Sequence, residues 1–217
     1  MKITRLRRHP RRERIRLYVD GGESPRAELA VDLVVRAGLA VGDTVDEAVL
    51  AALEVEDQGY RARDAALTLL AQRARSRAEL RRRLARREIP GVAIEETMAW
   101  LEERGYVDDA AFAESFVRDR LRLRPRGRVG LLQELRRKGV ADDVAEAAVE
   151  RVLADEGVDE AALARETAEA WARRNGAAVR RAARSREERL RARRRLYGHL
   201  ARRGFAPDAV RAAIAGV

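Results

Sequence analysis

The sequence predicts a mainly α-helical protein: three tandem three-helix repeats in an elongated array, preceded by a small module with a β-hairpin and short helices. Three observations predict this class. Residues 1–20 carry the alternation and turn residues of a hairpin, residues beyond 60 carry only helical periodicity, and one helical frame recurs after residue 60. A hydrophobic content of 46% against 38% charged residues allows a packed core and argues against full disorder.

The hairpin is predicted from the first twenty residues. Two β-rich segments, at residues 3–6 and 15–19, flank the turn signal His9-Pro10 and end before Gly21-Gly22. A third short strand is expected at about residues 28–31. Residues 1–16 are strongly basic, and the acidic stretch that follows is predicted to be either a solvated surface or the partner of this basic arm.

Residues 17–60 reverse the sign of the charge, with ten acidic residues and two arginines. Residues 32–37 predict a short helix that stops at Gly38. Thr44 and Glu47 have the spacing of a capping box, which predicts a helix that buries Val45, Val49 and Leu53. The sequence therefore predicts an N-terminal α+β module over residues 1–60.

The recurring frame consists of a leucine pair with a spacing of four, two basic residues after the second leucine, and a later apolar stripe. Residues four apart lie on one face of a helix, so each frame predicts a buried helix followed by another. The leucine pairs are Leu80/Leu84, Leu131/Leu135 and Leu196/Leu200, and the stripes are Ile94/Met98/Leu101, Ala145/Val149/Val152 and Val210/Ile214/Val217. An acid in the first turn of each repeat's first helix is expected at Asp64, Asp109 and Glu160.

The middle helix of the first repeat carries its own start signal. Ser76 and Glu79 form a predicted capping box, and Arg86 and Arg87 are expected to close the helix. The repeats are predicted at residues 61–107, 108–157 and 158–217. The leucine frames are 51 and then 65 residues apart, which places an Arg-rich insert at about residues 177–195, with Ser185 as a further helix cap.

Composition excludes several classes of function. The chain has no cysteine, so disulfides and cysteine-based zinc sites are excluded, and no apolar run has the length of a membrane span. Gly127-Arg-Val-Gly130 is too short for a phosphate-binding loop, and the acid pairs Asp108-Asp109 and Asp142-Asp143 are explained as helix caps. We expect a cytoplasmic, monomeric protein that is not an enzyme and holds no cofactor or metal.

The net charge of +10 predicts a polyanionic partner or an acidic protein surface. The basic pairs of the frame have two interpretations, which both stay open: compensation of the helix dipole, or a ladder of positive charge for DNA phosphates or an acidic protein groove. The candidate partner-binding residues are Arg82, Arg83, Arg86, Arg87, Arg137, Lys138, Arg202 and Arg203. The candidates for nucleic-acid or filament contact are Arg126, Arg128, Arg191, Arg193, Arg194 and Arg195.

The aromatic residues do not indicate a base-stacking surface. Trp100, Phe112, Phe116 and Phe205 lie on or beside apolar stripes, which predicts that they belong to the core. Single-strand binders usually combine exposed aromatics with a basic groove. Any direct nucleic-acid contact is therefore predicted to be dominated by phosphates, non-specific and sensitive to salt.

Residues 60–150 resemble the RecX family of bacterial RecA regulators. The resemblance rests on the order and spacing of Ala65-Ala-Leu67 with Arg75-Ser76-Arg-Ala-Glu-Leu80, Leu101-Glu-Glu-Arg-Gly105-Tyr-Val-Asp108-Asp109-Ala-Ala-Phe112, and Leu132-Gln-Glu-Leu135-Arg-Arg-Lys-Gly139-Val140. It implies a modulator of DNA recombination, DNA repair and the SOS response. Such a protein binds the RecA filament on single-stranded DNA and suppresses ATP hydrolysis, strand exchange and co-protease activity.

The sequence leaves three hypotheses of function. The first is a regulator that binds the recombinase filament through its basic repeats. The second is a stand-alone, non-specific nucleic-acid-binding protein of the nucleoid type, which contacts single- or double-stranded DNA through phosphates. The third is a helical scaffold for another acidic protein.

Overall fold

The computed structural model describes residues 1–215 and contains three strands and eleven helices in that range. The strands are β1 (Ile3–Arg8), β2 (Arg14–Val19) and β3 (Ala27–Ala30). The helices are α1 (Val31–Arg36), α2 (Glu47–Gln72), α3 (Arg77–Ala85), α4 (Gly91–Glu103), α5 (Asp109–Leu123), α6 (Arg128–Lys138), α7 (Asp142–Asp155), α8 (Glu160–Arg174), α9 (Gly176–Ala182), α10 (Arg186–Arg202) and α11 (Pro207–Ala215). The predicted class, mainly helical with a small N-terminal sheet, is confirmed; Val217 of the third predicted stripe lies outside the described residues.

The strands form one antiparallel sheet in the order β1-β2-β3, so the predicted hairpin and third strand are both present. Ile3, Leu17 and Leu29 are at most 1% exposed and form the core of this module with residues of α1 and α2. Arg5, Arg7 and Arg8 of β1 are all exposed, and the strand register shifts between Ile3 and Arg5.

The basic arm pairs with the acidic stretch through one buried carboxylate. Asp57 of α2 is 1% exposed and accepts hydrogen bonds from the Arg14 guanidinium, from the backbone N–H of Ala30 at 2.8 Å, and from Arg61 Nε at 2.8 Å. Arg14 also lies 3.3 Å from Glu28. A buried carboxylate needs such partners, so this cluster ties α2 to the sheet.

The start of α2 differs from the prediction. Thr44 forms a bridge with Lys2, and the helix begins at Glu47, so Thr44 is not the cap of a box. Val45 is buried and Leu53 packs against the same core, as predicted, but Val49 is 49% exposed and its neighbour Leu50 is fully buried instead. The periodicity of Val45, Val49 and Leu53 was misleading because Val45 is buried ahead of the helix rather than on it.

The helix α2 continues without a break through the predicted boundary at residue 60. Asp64 therefore lies in the interior of α2, and the prediction that it opens a helix is wrong, whereas Asp109 and Glu160 are the first residues of α5 and α8.

The chain divides into two compact units. The first comprises Met1–Arg75 and Leu80–Val107, and the second comprises Ser76–Glu79 and the residues from Asp108 onward.

The leucine frames form three separate hydrophobic clusters, each built on one leucine pair. All six leucines are at most 2% exposed. The first cluster includes Leu80, Leu84, Met98 and Leu101; the second Leu131, Leu135, Val149 and Val152; the third Leu196, Leu200, Phe205 and Val210. This burial confirms the helical repeats, because each frame contributes the face that its period predicts.

The predicted aromatic core residues also lie where expected: Phe205 is buried, and Trp100, Phe112 and Phe116 are partly buried against the clusters of their repeats. The insert is helical, since it contains α9 and the start of α10, where Ser185 Oγ accepts a hydrogen bond from the Glu187 N–H at 3.2 Å. None of the helices within residues 1–215 combines the length and the apolar character that crossing a membrane requires.

Candidate partner-binding surfaces

The basic residues of the first frame lie partly beyond their helix. α3 ends at Ala85, so Arg86 and Arg87 follow the helix in a turn rather than close it. Glu88 ends this turn with a φ of 59°, a left-handed conformation that usually favours glycine. Arg82, Arg83, Arg86 and Arg87 are all exposed, which leaves their guanidinium groups accessible to solvent.

The basic pairs of the second and third frames have less in common than the sequence indicates. Arg137 and Arg202 are exposed. Lys138 Nζ lies 3.8 Å from Glu79 Oε2, and Arg203 is half-buried with its Nη1 donating to the Pro125 carbonyl oxygen at 3.0 Å. Arg137 and Arg202 are therefore the more exposed members of these four, although Arg137 Nη2 lies 4.0 Å from Glu134 Oε1.

The second set of candidates divides between ion-paired and unpaired side chains. Arg126 Nε lies 2.6 Å from Glu134, Arg128 lies 2.8 Å from Glu150, and Arg191 pairs with Glu187 and Glu188 along α10. The exposed run Arg193, Arg194 and Arg195 has no carboxylate within 4 Å in residues 1–215. That run carries part of the accessible charge of the insert, in which Arg180, Arg184 and Arg189 are also exposed.

Two glycines bring the start of α6 against the end of α10. The Gly127 N–H donates to the Arg203 carbonyl oxygen at 3.1 Å, and the Gly130 N–H donates to the Gly204 carbonyl oxygen at 3.3 Å. A Cβ added at Gly130 would lie 2.2 Å from the Arg203 carbonyl oxygen, and one at Gly127 would lie 2.4 Å from that of Gly204. The Gly127–Gly130 motif is thus a backbone contact, which we call the glycine junction.

The start of α3 meets the end of α6 in a related way, within the second unit. Ser76 Oγ accepts from the Glu79 N–H at 3.2 Å, as the predicted cap requires, and donates to the Lys138 carbonyl oxygen at 2.6 Å. The Arg77 N–H donates to Asp109 Oδ1 at 2.8 Å. We call this contact the serine junction.

Beside the glycine junction lies a cavity of about 660 Å³ in the second unit. Its walls come from the end of α5 and the following loop, from one face of α8, and from α10 near its C-terminus. We call it the arginine cavity, because its lining includes Arg124, Arg126, Arg173, Arg174 and Arg203, with His199, Trp171 and one carboxylate, Glu166.

Positive charge is concentrated in the arginine cavity. The pKa of Arg203 is lowered by burial and by the neighbouring charges of Arg126, Arg174 and Arg124. The pKa of His199 is lowered by burial, then by Arg203, Arg202 and Arg174. Both shifts have the sign expected when a positive charge is partly desolvated among other positive charges.

Sequence reasoning identified Arg126 and Arg203 but missed Arg124, Arg174 and Trp171. A signal was present in α8, where Thr167, Ala170, Trp171 and Arg174 have the i, i+3, i+4, i+7 spacing of a single helix face. That face lines the cavity instead of being wholly packed in a core. The leucine frame identifies the core residues of each repeat and therefore gave no indication of this face of α8.

Comparison with known proteins agrees with this architecture. Residues 62–101 match the first three-helix domain of RecX, and residues 108–149 match the second. The regulatory protein RecX of Halorhodospira halophila is 44% identical over 153 residues, covering 70% of this chain and 86% of the relative. This chain belongs to the RecX family. A second RecX regulatory protein, from Thermobifida fusca, is 42% identical over 69% of this chain and 75% of its own length.

Solved RecX structures share the fold. A crystal structure of regulatory protein RecX superposes with a TM-score of 0.68 at 22% identity, covering 97% of this chain and 98% of the other. The structure of RecX from Lactobacillus salivarius gives a TM-score of 0.57 over 74% of this chain. The two matched RecX domains end at residue 149, so α8 and α10, which supply most of the arginine cavity, lie beyond them.

Proposed function

We propose that this RecX-family protein binds the RecA recombinase filament on single-stranded DNA and inhibits its ATPase, strand-exchange and co-protease activities in the cytoplasm. The observation that supports the proposal most strongly is the 44% identity to a regulatory protein RecX over 86% of that relative. The proposed function is regulatory rather than catalytic, which the description of the RecX relatives as regulatory proteins supports.

We further propose that the exposed basic residues of the repeats form the filament contact. The structure reduces the number of candidates for this contact, because Lys138 lies beside Glu79 and Arg203 lines the arginine cavity. Arg86 and Arg87 in the turn after α3, with Arg137 of α6 and Arg202 of α10, keep their charged ends accessible. Accessible guanidinium groups attract an acidic groove or phosphates and form paired hydrogen bonds with carboxylates there.

The test is the ATPase rate of RecA on single-stranded DNA, titrated with this protein. We expect inhibition at stoichiometric or lower amounts. The double variants Arg86→Gln/Arg87→Gln and Arg137→Gln/Arg202→Gln are expected to raise the half-inhibitory concentration about tenfold each, equivalent to about 1.4 kcal/mol of binding free energy. Arg11→Gln/Arg12→Gln removes the same charge from the exposed hairpin turn and serves as the control.

Two results would separate the parts of this proposal. Absence of inhibition by the unmodified protein would refute the regulatory function. Normal inhibition by both double variants, with unchanged melting temperatures, would refute the assignment of the contact surface and leave the regulatory function standing.

The insert offers a second contact region. We propose that Arg193, Arg194 and Arg195, which are exposed along α10, strengthen filament binding together with Arg191. Replacing all four with glutamine is expected to weaken binding to the filament more than it lowers the melting temperature. If affinity is unchanged, this run is a solvated face of α10 and Arg191 serves only its pairs with Glu187 and Glu188.

A further inference from the structure

We propose that the arginine cavity binds one nucleotide unit of a single-stranded nucleic acid, with a phosphate among Arg124, Arg174 and Arg203 and the base against Trp171. This assigns a ligand to a concave site that shares only Arg203 with the predicted charge ladder. It does not depend on the recombinase, because the cavity lies wholly within the second unit of this chain.

The first support is uncompensated charge. Within residues 1–215, Arg124, Arg174 and Arg203 have no carboxylate within 4 Å, whereas many other arginines of the second unit are paired. The lowered pKa of Arg203 has neighbouring guanidinium groups among its causes. A phosphate removes this repulsion, and the planar guanidinium group matches its oxygens in a bidentate arrangement.

The second support is the shape of the site. Its volume of about 660 Å³ lies within the range that small-ligand sites occupy. Trp171 lines the wall while it also packs against the third hydrophobic cluster. Stacking on an aromatic side chain typically contributes about 1–3 kcal/mol per base. In a duplex the bases are stacked inside and only phosphates reach such a wall, so the combination fits a single strand.

The remaining polar groups distinguish a nucleotide from an acidic peptide. Glu166 lines the same cavity, and its carboxylate accepts hydrogen bonds from the N–H groups of a base but repels peptide carboxylates. His199 adds an imidazole to the wall, which supplies a donor to phosphate oxygens. An aromatic wall also has no partner on a polyglutamate chain.

The chain offers a direct optical test, because Trp100 and Trp171 are its two tryptophans. In a Trp100→Phe variant all tryptophan fluorescence comes from Trp171. Titration with an oligothymidylate is expected to quench this signal, whereas an abasic oligomer of equal length should bind with much less quenching. The reciprocal Trp171→Phe variant, which reports only Trp100, should show little quenching with either ligand.

The phosphate contacts are tested with charge-matched double variants in the Trp100→Phe background. Arg124→Gln/Arg174→Gln is expected to weaken oligothymidylate binding at least tenfold at about 100 mM salt and to lower the log–log salt slope by about 0.7, because the proposed site holds one phosphate and each single-strand phosphate contact contributes about 0.7. Arg11→Gln/Arg12→Gln should retain the affinity. Arg124→Lys/Arg174→Lys should restore the salt slope.

Three results would overturn the inference. One is equal affinity and salt slope for the cavity variant and the control variant, and another is quenching of Trp100 rather than Trp171. The third is displacement of the oligonucleotide from Trp171 by polyglutamate at equal charge concentration, which would assign the cavity to an acidic protein segment. Since RecA is absent from every arm, these outcomes leave the proposed inhibition of the recombinase to its own test.

Discussion

The serine junction and the glycine junction use equivalent positions of the repeat for different chemistry. Ser76 and Gly127 stand at the same place in the frame, four residues before the first leucine, and both meet the carbonyl of a basic residue at the end of another helix. At one junction a hydroxyl makes the contact at 2.6 Å, and at the other a backbone N–H makes it at 3.1 Å.

The difference extends to charge. Glu79 and Gly130 are also equivalent, since each precedes the first leucine by one residue. Glu79 lies 3.8 Å from Lys138, but Gly130 has no side chain to offer Arg203, the equivalent of Lys138. One glycine therefore permits the close approach of two backbones and also leaves an arginine uncompensated beside the cavity. At equivalent positions of the repeat, the charge of Lys138 is therefore paired with a carboxylate, whereas that of Arg203 is not paired with one in the described residues.

The largest effect is expected for Leu135→Ala, because α6 takes part in both junctions, with its start in one and its end in the other. Leu135 is fully buried, and truncation should lower the free energy of unfolding by about 2–5 kcal/mol. Urea denaturation measures this loss. Leu190→Ala, at a leucine of α10 that is 49% exposed, is the control and should cost much less; equal losses would contradict the repeat core.

Gly130→Ala should be the next largest effect and acts on the glycine junction alone. Its Cβ would lie 2.2 Å from the Arg203 carbonyl oxygen, so the junction must open, at a cost of about 1–3 kcal/mol. The matched control is Gly59→Ala within α2, where a Cβ has no neighbour within 4 Å. That variant should be stabilised by about 0.5–1 kcal/mol, and destabilisation of both to the same extent would refute the close approach.

The contrast between the junctions also shows what the sequence could predict. The leucine frame and the caps at Ser76 and Ser185 followed from periodicity and local hydrogen bonding, and the structure confirms them. The glycine junction did not follow, because it depends on contact between α6 and α10, which lie far apart in the chain. A glycine motif indicates that another segment approaches the backbone closely, but it does not identify that segment.

The same limit applies to the candidate site. The ladder was predicted from basic residues at a fixed position in the frame, and that position alone does not show that Lys138 faces Glu79 while Arg203 faces a cavity. The predicted start of α2 was wrong for a local reason, because Thr44 forms a bridge with Lys2 instead of capping the helix. Trp171 was missed because the face of α8 that lines a cavity has the same period as a face that fills a core.

Ser76→Ala tests the serine junction and should cost about 1–2 kcal/mol. The substitution removes the cap bond to the Glu79 N–H and also the donation to the Lys138 carbonyl oxygen. Ser185→Ala is the control, because Ser185 accepts a cap bond from the Glu187 N–H on an exposed part of α10. The excess loss at Ser76, measured by urea denaturation, reports the junction bond; no excess would mean that the cap accounts for the whole effect.

The smallest effect concerns pH and tests the charge of the arginine cavity beside the glycine junction. Burial and the charges of Arg203, Arg202 and Arg174 lower the pKa of His199, while Glu166 lines the same cavity. Below the ordinary histidine pKa of about 6.5 the unfolded chain binds more protons than the folded one, so the His199 contribution to stability falls as pH decreases toward the folded pKa and is constant below it. His199→Gln should remove this part of the pH dependence of unfolding.

A direct measurement is NMR titration of the His199 ring, whose midpoint should lie below 6.5 and rise in Arg174→Gln, since that substitution removes one of the repelling charges. A midpoint that Arg174→Gln leaves in place would mean that the Arg174 charge does not reach His199, and that burial and the other two arginines lower its pKa.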